Sequence, residues 1–320
     1  MVKKDKSKYP KPLTLKEATK KFLIESKVKM SKDKLKESTF SRYSFICERH
    51  IVPYFGNINL DSLNDEAINN FISYKLNNGG LTGEPLSHKT TNDIITLLLQ
   101  IIKSHCKVDT DFDKPSYKLN EITIFTEMEY NKLKSYLSVG TDSKKLGIIT
   151  AMLTGIRIGE LCALKWGNID LSSGVININK TIQRIRVTDS KEKSKTKVII
   201  DTPKSDASIR KIPIPSVLLN RLKKFKSNED SYLLTNTSDY IEPRVYQRHF
   251  KSYLMASDVK DNNFHTLRHT FATMAVANDM DIKTLSIFLG HSDVSFTMKR
   301  YVHPSIEHKR RQIEKLAVGF

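Results

Sequence analysis

Two copies of one helix-start signature divide this chain. Thr14 with Glu17, and Thr126 with Glu129, each place a hydroxyl residue three positions ahead of a glutamate. That is the pattern of a capping box, in which the two side chains satisfy backbone N–H groups at a helix start. Each box opens a run of helical periodicity. Between the runs, residues 108–123 are polar, contain Pro115 and lack a repeat, so they read as a linker. The chain is therefore expected to fold as two bodies, 13–107 and 124–320, behind a Lys-rich arm at 1–12. With 320 residues, 39% of them hydrophobic, each body has enough apolar side chain for its own core.

The first body reads as all helical. Ala18, Phe22 and Leu23 begin an apolar stripe after the first capping box. A second helix is expected from Ser38 to Val52, stopping at Pro53. A third follows Asn64, carries Ile68, Phe71, Ile72 and Leu76, and ends near Gly79 and Gly80. A fourth starts near Ser87 and carries Ile94, Ile95, Leu97, Leu98, Ile101 and Ile102. The second body opens helically and then changes period. Gly174 to Ile178, Thr181 to Val187, Val198 to Ile200 and Ile209 to Ile214 alternate or are β-rich, predicting one small antiparallel sheet. The polar, basic stretch Ser190 to Lys197 predicts a protruding hairpin tip, either a solvated face or a contact to a phosphate backbone. Helical patterns resume after Pro215, around Tyr246, and from Phe264 onward. The fold class is mainly α with a small antiparallel β-sheet in the second body, an α+β architecture.

Charge narrows the partners. Lys and Arg number 53 against 35 acids, a formal net charge of +18. An excess of this size attracts polyanions, nucleic acid first among them. The basic residues are spread over both bodies and are not gathered on one amphipathic helix, which argues against a membrane-surface protein. No apolar run approaches the ~20 residues of a membrane span, and the basic leader is not followed by an apolar signal core. A cytoplasmic protein is expected. Cys47, Cys106 and Cys162 are scattered without metal-ligand spacing, so neither a metal nor another cofactor is expected.

Three separated segments carry chemistry. In Thr154-Gly155-Ile156-Arg157-Ile158-Gly159-Glu160, an arginine follows a glycine turn at the start of a helix. In His265-Thr266-Leu267-Arg268-His269, a histidine and an arginine stand three apart, which on a helix puts them on one face. Gly290-His291 is followed ten residues later by Tyr301, leaving room for a turn and a short helix that returns a phenol to the same point. Each segment alone has a plain reading: a surface arginine, polar groups on an amphipathic helix, a helix C-cap, a half-buried aromatic. Their joint occurrence is what overturns those readings, because independent coincidences multiply.

In order, spacing and flanking residues, these segments resemble the tyrosine recombinase (phage integrase) family over Thr126 to His303. The helical first body resembles that family's core-binding domain through weaker motifs. The resemblance implies a two-domain clamp on double-stranded DNA and cleavage through a 3′-phosphotyrosine, with Tyr301 as nucleophile. Arg157 and Arg268 would grip the non-bridging phosphate oxygens with forked donors that stay protonated, and His291 would donate a third hydrogen bond. His265 would assist proton transfer at the nucleophile. Lys204, on a turn between strands, would protonate the leaving 5′ oxygen, with Lys193, Lys195, Lys197 and Lys211 as competing candidates. Glu160 is read as orienting a neighbouring catalytic side chain, and His269 as a structural histidine pointing away from the site. The family further implies a homotetramer on paired DNA sites, docked through a helix from Ile306 to Leu316, with an accessory DNA-bending or excision factor as a further partner. The leader before Thr14 is too short for an added arm-binding domain. A type IB topoisomerase-like enzyme and a non-catalytic DNA-binding regulator on the same scaffold are the alternatives.

Overall fold

A computed structural model describes residues 13–105, 115–116, 121–188, 194–203, 206–302 and 306–317. The arm at 1–12, most of the linker, the first half of the expected hairpin tip and Lys204 lie outside the described residues. The chain divides into two compact units, Met1–Asn120 with Ile185–Lys197, and Glu121–Arg184 with Val198–Phe320.

The first unit is built on helices α1 (Leu15–Ser31), α2 (Glu37–Ile46), α3 (Val52–Phe55), α4 (Asp65–Asn78) and α5 (His88–His105). The Thr14–Glu17 capping box forms as expected at the start of α1. The strand-like segment before it is tied down by hydrogen bonds from Leu15 N to the Ile58 carbonyl and from Leu60 N to the Leu13 carbonyl. Ile94, Ile95, Leu98 and Ile101 on one face of α5 close the core against Leu15, Ile51, Phe55 and Phe71. Pro53 does not end the second helix as expected. A π-helical turn at Cys47–Ile51 intervenes, in which Val52 N–H reaches back to the Cys47 carbonyl. The turn restarts the helix, so Pro53 falls in the first turn of α3, where its missing N–H costs nothing.

The strands on either side of the expected hairpin tip pair with each other, but the basic groups there are not all solvated: the Ser41 hydroxyl donates to the Arg186 carbonyl, the Arg186 guanidinium lies 4.0 Å from the centroid of the Phe45 ring, and Lys197, the last residue of the expected tip, pairs with Glu37 at 2.8 Å. These basic groups meet an aromatic face and a carboxylate that are distant in sequence, which a local polarity pattern does not register.

The second unit carries helices α6 (Glu127–Ser138), α7 (Ser143–Thr154), α8 (Ile158–Ala163), α9 (Ser216–Phe225), α10 (Pro243–Ala256), α11 (His265–Ala277), α12 (Ile282–Leu289), α13 (Val294–Tyr301) and α14 (Ile306–Leu316). The second capping box forms at Thr126. Among the described residues there are two sheets where one was expected. Strands β1 (Ile169–Asp170), β2 (Val175–Ile178) and β5 (Arg210–Pro213) make an antiparallel three-stranded sheet, and β3 (Thr181–Arg186) pairs with β4 (Thr196–Asp201) separately. The two-residue β1 is too short to show an alternation, and which strands share a ladder is a long-range matter. In the larger sheet Ile176 faces Ile212 and Ile178 faces Arg210. Strand alternation turns Ile212 and Arg210 to the same inner face, so a guanidinium enters the core beside isoleucines.

Two left-handed glycines place the chemistry. Gly155 caps α7 at φ +64°, and the chain then turns directly into α8 with Arg157 at its N-cap. Gly290 caps α12 at φ +62° and hands the chain to His291. A Cβ at Gly155 would stand 2.5 Å from Cδ1 of Phe271 and 3.2 Å from Cδ2 of Leu289. Gly155→Ala therefore combines αL strain with overpacking, and a loss of about 1–3 kcal/mol in unfolding free energy by urea titration is expected; an unchanged midpoint would contradict the crowding.

Candidate active site

Helix α11 is the platform of the site. His265, Arg268 and His269 occupy positions i, i+3 and i+4, so all three lie on one face within a third of a turn. Arg268 is 2% exposed despite its charge. It donates from one terminal nitrogen to the Gly155 carbonyl at 2.8 Å, and from the other to the Leu289 carbonyl and to His291 Nε2, the last at 3.0 Å. Burial, then the neighbouring Arg157, brings its pKa down to about 9, which leaves it protonated at neutral pH. Arg157, about a third exposed, donates to the Glu160 carboxylate at 2.8 Å and to the Gly290 carbonyl at 3.2 Å. The two arginines and His291 thus gather on residues 289–291.

A guanidinium has no lone pair to offer, so His291 Nε2 must accept from Arg268. The ring proton then sits on Nδ1 and is donated to the buried Thr297 hydroxyl at 2.8 Å. Burial and the surrounding cations Arg268, Arg157 and Arg210 depress the His291 pKa to about 3, consistent with a neutral ring. His291 was expected to donate to a phosphate, and its Nε2 is an acceptor here.

Tyr301, the last residue of α13, is 6% exposed, its ring packed with Ala272, Ala275, Leu285 and Leu289. Its hydroxyl lies 2.8 Å from His269 Nδ1. Burial raises its pKa, while the charges of Arg268, Arg300 and Arg157 oppose the rise. His269 is thus not the remote histidine that was expected: it contacts the phenol. The signal was its spacing of four from His265, which outweighs its adjacency to Arg268. His265 keeps an exposed edge and meets His269 at right angles, with ring centroids 4.6 Å apart. Surrounding protein, then the nearby charges of His269 and Arg268, bring its pKa down to about 4.

Glu160, 3% exposed, holds the arginines in place. Arg210 grips it with both terminal nitrogens, at 3.0 and 2.8 Å, and Arg157 adds its side chain and its backbone N–H. Burial alone would raise the Glu160 pKa, but the hydrogen bonds and charge of Arg210 and the charge of Arg157 lower it overall. Arg210 also donates to the Phe288 and Ser208 carbonyls. Sequence reasoning passed over Arg210 because a basic residue on a strand reads as exposed; its alternation with Ile212 was the available clue.

Lys204 lies outside the described residues, as does Lys193. The chain resumes at a 3₁₀ turn, Asp206–Ser208, and the Ser208 hydroxyl donates to the Gly290 carbonyl at 3.3 Å. Among the competing lysines, Lys195 and Lys197 fall in the first unit, and Lys211 alternates to the exposed face opposite Arg210. Among the described residues, no group of three or more His, Cys, Asp or Glu side chains could hold a metal ion, and no helix is long and apolar enough to cross a membrane.

Two buried arginines, a partly exposed third and a phenol, drawn from separate chain segments, meet beside α11 on a mainly helical scaffold. The chain belongs to the phage integrase family: the family model matches residues 124–308, and the model for a phage integrase N-terminal SAM-like domain matches residues 15–76. A tyrosine recombinase XerC-like protein of Caldanaerobacter subterraneus is 32% identical over 213 residues, covering 61% of this chain; the chain spans about half, 54%, of that relative's length. The ICEBs1 integrase of Bacillus subtilis is 23% identical over 301 residues, covering 88% of this chain and 78% of the relative. In fold, the chain resembles a Tn1549 transposon integrase solved with transposon right-end DNA (TM-score 0.71, 18% identity, 95% of this chain and 100% of that one). It also resembles a lambda integrase solved as a dimer on a core site (TM-score 0.61, 18% identity, 91% of this chain and 78% of that one).

Two outcomes follow from these contacts. Arg210→Met strands a buried carboxylate, and about 3–5 kcal/mol should be lost in urea unfolding, with Glu160→Gln recovering part of it in a double-mutant cycle; a loss below about 1 kcal/mol would show that Glu160 does not depend on Arg210. The histidines set a pH dependence. His269 and His291 take up protons near pH 6.5 when unfolded but only at about 4 and about 3 when folded. Between those values the unfolded chain binds more protons, so their contribution is fully present above pH 6.5 and is lost as pH falls towards 3. The urea midpoint should drop across that window, and His291→Gln should flatten the drop.

Proposed function

We propose that the chain is a site-specific DNA recombinase of a mobile element, in which Tyr301 attacks a phosphodiester and leaves a 3′-phosphotyrosyl link and a free 5′ hydroxyl. The observation that carries this reading is the meeting of Arg157, Arg268 and His291 at residues 289–291, with the Tyr301 hydroxyl held from the same face of α11. A phosphodiester under attack gains negative charge on its non-bridging oxygens, and two fixed guanidiniums are placed to meet it. The covalent link conserves the bond, so rejoining needs no nucleotide.

In this reading Arg157, Arg268 and His291 grip the phosphate, Lys204 protonates the leaving oxygen, and His265 borders the proton-transfer groups. His291 donates to the phosphate once substrate displaces Arg268 from Nε2 and the ring exchanges its tautomer. Residues 13–107 serve as the core-binding domain and 124–320 as the catalytic domain, closing as a clamp on duplex DNA, with 1–12 as a basic arm and 108–123 as the linker. Phosphate contacts from both give an affinity that falls steeply with salt. The relatives' names support a mobile-element role, and the lambda integrase solved as a tetramer on a Holliday junction supports four copies acting together on paired sites. The C-terminal helix α14 is the proposed docking element between copies, an excision factor is a further partner, and the cytoplasm is the compartment.

Incubation with a nicked suicide duplex tests the reading. A covalent protein–DNA adduct should form and should vanish in Tyr301→Phe, while duplex affinity stays within about twofold, since the lost hydroxyl is not a phosphate anchor. An adduct that persists in Tyr301→Phe would remove Tyr301 from the role. Relaxation of supercoiled plasmid without recombination between paired attachment sites would favour a topoisomerase-like activity instead.

A further inference from the structure

We propose that His269 is a catalytic residue: its Nδ1 takes the Tyr301 hydroxyl proton as the phenol oxygen bonds to phosphorus, and returns it when the phosphotyrosyl bond is broken. The inference rests on the reading of Tyr301 as nucleophile and adds a residue to it. Among the described residues, the hydrogen-bond partner of the Tyr301 hydroxyl is His269, at 2.8 Å, inside the reach a general base requires. His265, the histidine expected in this role, contacts the edge of His269 and not the phenol.

Both partners are held in place by structure around them. The Tyr301 ring is buried against Leu285, Leu289, Ala272 and Ala275, which fixes the direction of its hydroxyl. His269 sits within α11 beside Arg268, whose own side chain is anchored on two backbone carbonyls. A base must have a free lone pair, and burial together with the charges of Arg300 and Arg268 keeps His269 neutral at neutral pH. Those same cations make it a weak base at rest. A phosphate arriving at Arg268 offsets the charge of that neighbour, so the basicity of His269 rises when a proton must be taken.

The step balances. The bond from the tyrosine oxygen to phosphorus forms, and the bond from phosphorus to the 5′ oxygen breaks, with its electron pair staying on that oxygen. The phenol proton passes to His269 Nδ1, giving an imidazolium, and the 5′ oxygen takes a proton from Lys204. The reverse step regenerates the neutral ring.

Single-turnover adduct formation on the nicked suicide duplex, with the full chain, tests the assignment. His269→Ala should slow it by about 10²–10⁴-fold while duplex affinity and the urea midpoint show a folded protein. His269→Gln offers an oxygen to the phenol but holds no proton, so it should remain slow. In the His269→Ala background, Tyr301→3,5-difluorotyrosine supplies a more acidic phenol and should recover at least about tenfold of the loss, with no comparable gain when His269 is present. Wild-type rates in His269→Ala would overturn the proposal. So would wild-type rates in His269→Gln, or the absence of any fluorotyrosine recovery, since either would leave His269 as a positioning group. If the unsubstituted chain forms no adduct, the nucleophile assignment itself fails and this one falls with it. An adduct in the unsubstituted chain with no effect at His269 sinks the base alone.

Discussion

The carboxylate of Glu160 sits in the protein interior between two guanidiniums, and the geometry of the site follows from how it is shared. An unpaired carboxylate at 3% exposure would cost several kcal/mol. Arg210 compensates it with two parallel hydrogen bonds, a planar match that lysine lacks. Arg157 then takes a further place on the same group. Arg210 extends the tie to the carbonyls of Phe288 and Ser208, so α8, β5, the turn before β5 and the end of α12 are fixed to one charge. Gly290 permits this closeness. A Cβ there would stand 3.1 Å from a terminal nitrogen of Arg210 and 3.1 Å from Ser208 Cα.

Arg157 and Arg210 thus share one carboxylate, and Arg268 stands nearby as a third guanidinium. The surplus of positive charge has two effects that belong together. Through Arg268 it adds to burial, the larger cause, in keeping His269 and His291 neutral, and it makes the pocket favourable for an anion. In the proposed reading a bound phosphate offsets part of that charge, so the proton affinity of the histidines rises with occupancy.

What could be read from the residues alone was whatever short-range spacing encodes. The capping boxes at Thr14 and Thr126, the Asn64 cap and the apolar face of α5 are local patterns, and the structure has them where the spacing put them. The convergence of Arg157, Arg268, His291 and Tyr301 was legible for a different reason: glycine turns and helix periods near each residue limit where its side chain can go. Long-range pairing was not legible. The two-residue β1 and the split into two sheets depend on partners far along the chain. So do the contacts of Arg186 with Phe45 and of Lys197 with Glu37. The π-turn before Pro53 escaped because proline rules assume an unbroken α-helix. His269 was misplaced by counting from Arg268 and not from His265, and Arg210 was passed over although it alternates with Ile212.

The buried ion network raises the question of why the chain keeps it. Apolar residues of similar volume often match or exceed a buried ion pair in stability, so stability alone does not explain why Arg210 and Arg268 are buried here. What an apolar core cannot do is aim a charge. Arg268 is anchored on the Gly155 and Leu289 carbonyls and on His291, and Arg157 on Glu160 and the Gly290 carbonyl. In the proposed reading each guanidinium is held near its working position before a phosphate arrives, and the exchange of Arg268 away from His291 is the reorganisation that remains. The same anchors spread the cost over backbone carbonyls that needed donors in any case, since helix ends leave such groups unpaired. Gly155 and Leu289 stand at two such ends, of α7 and α12. The site is therefore assembled from the unsatisfied ends of its own helices, and that is why two left-handed glycines, remote in sequence, are found where the arginines are.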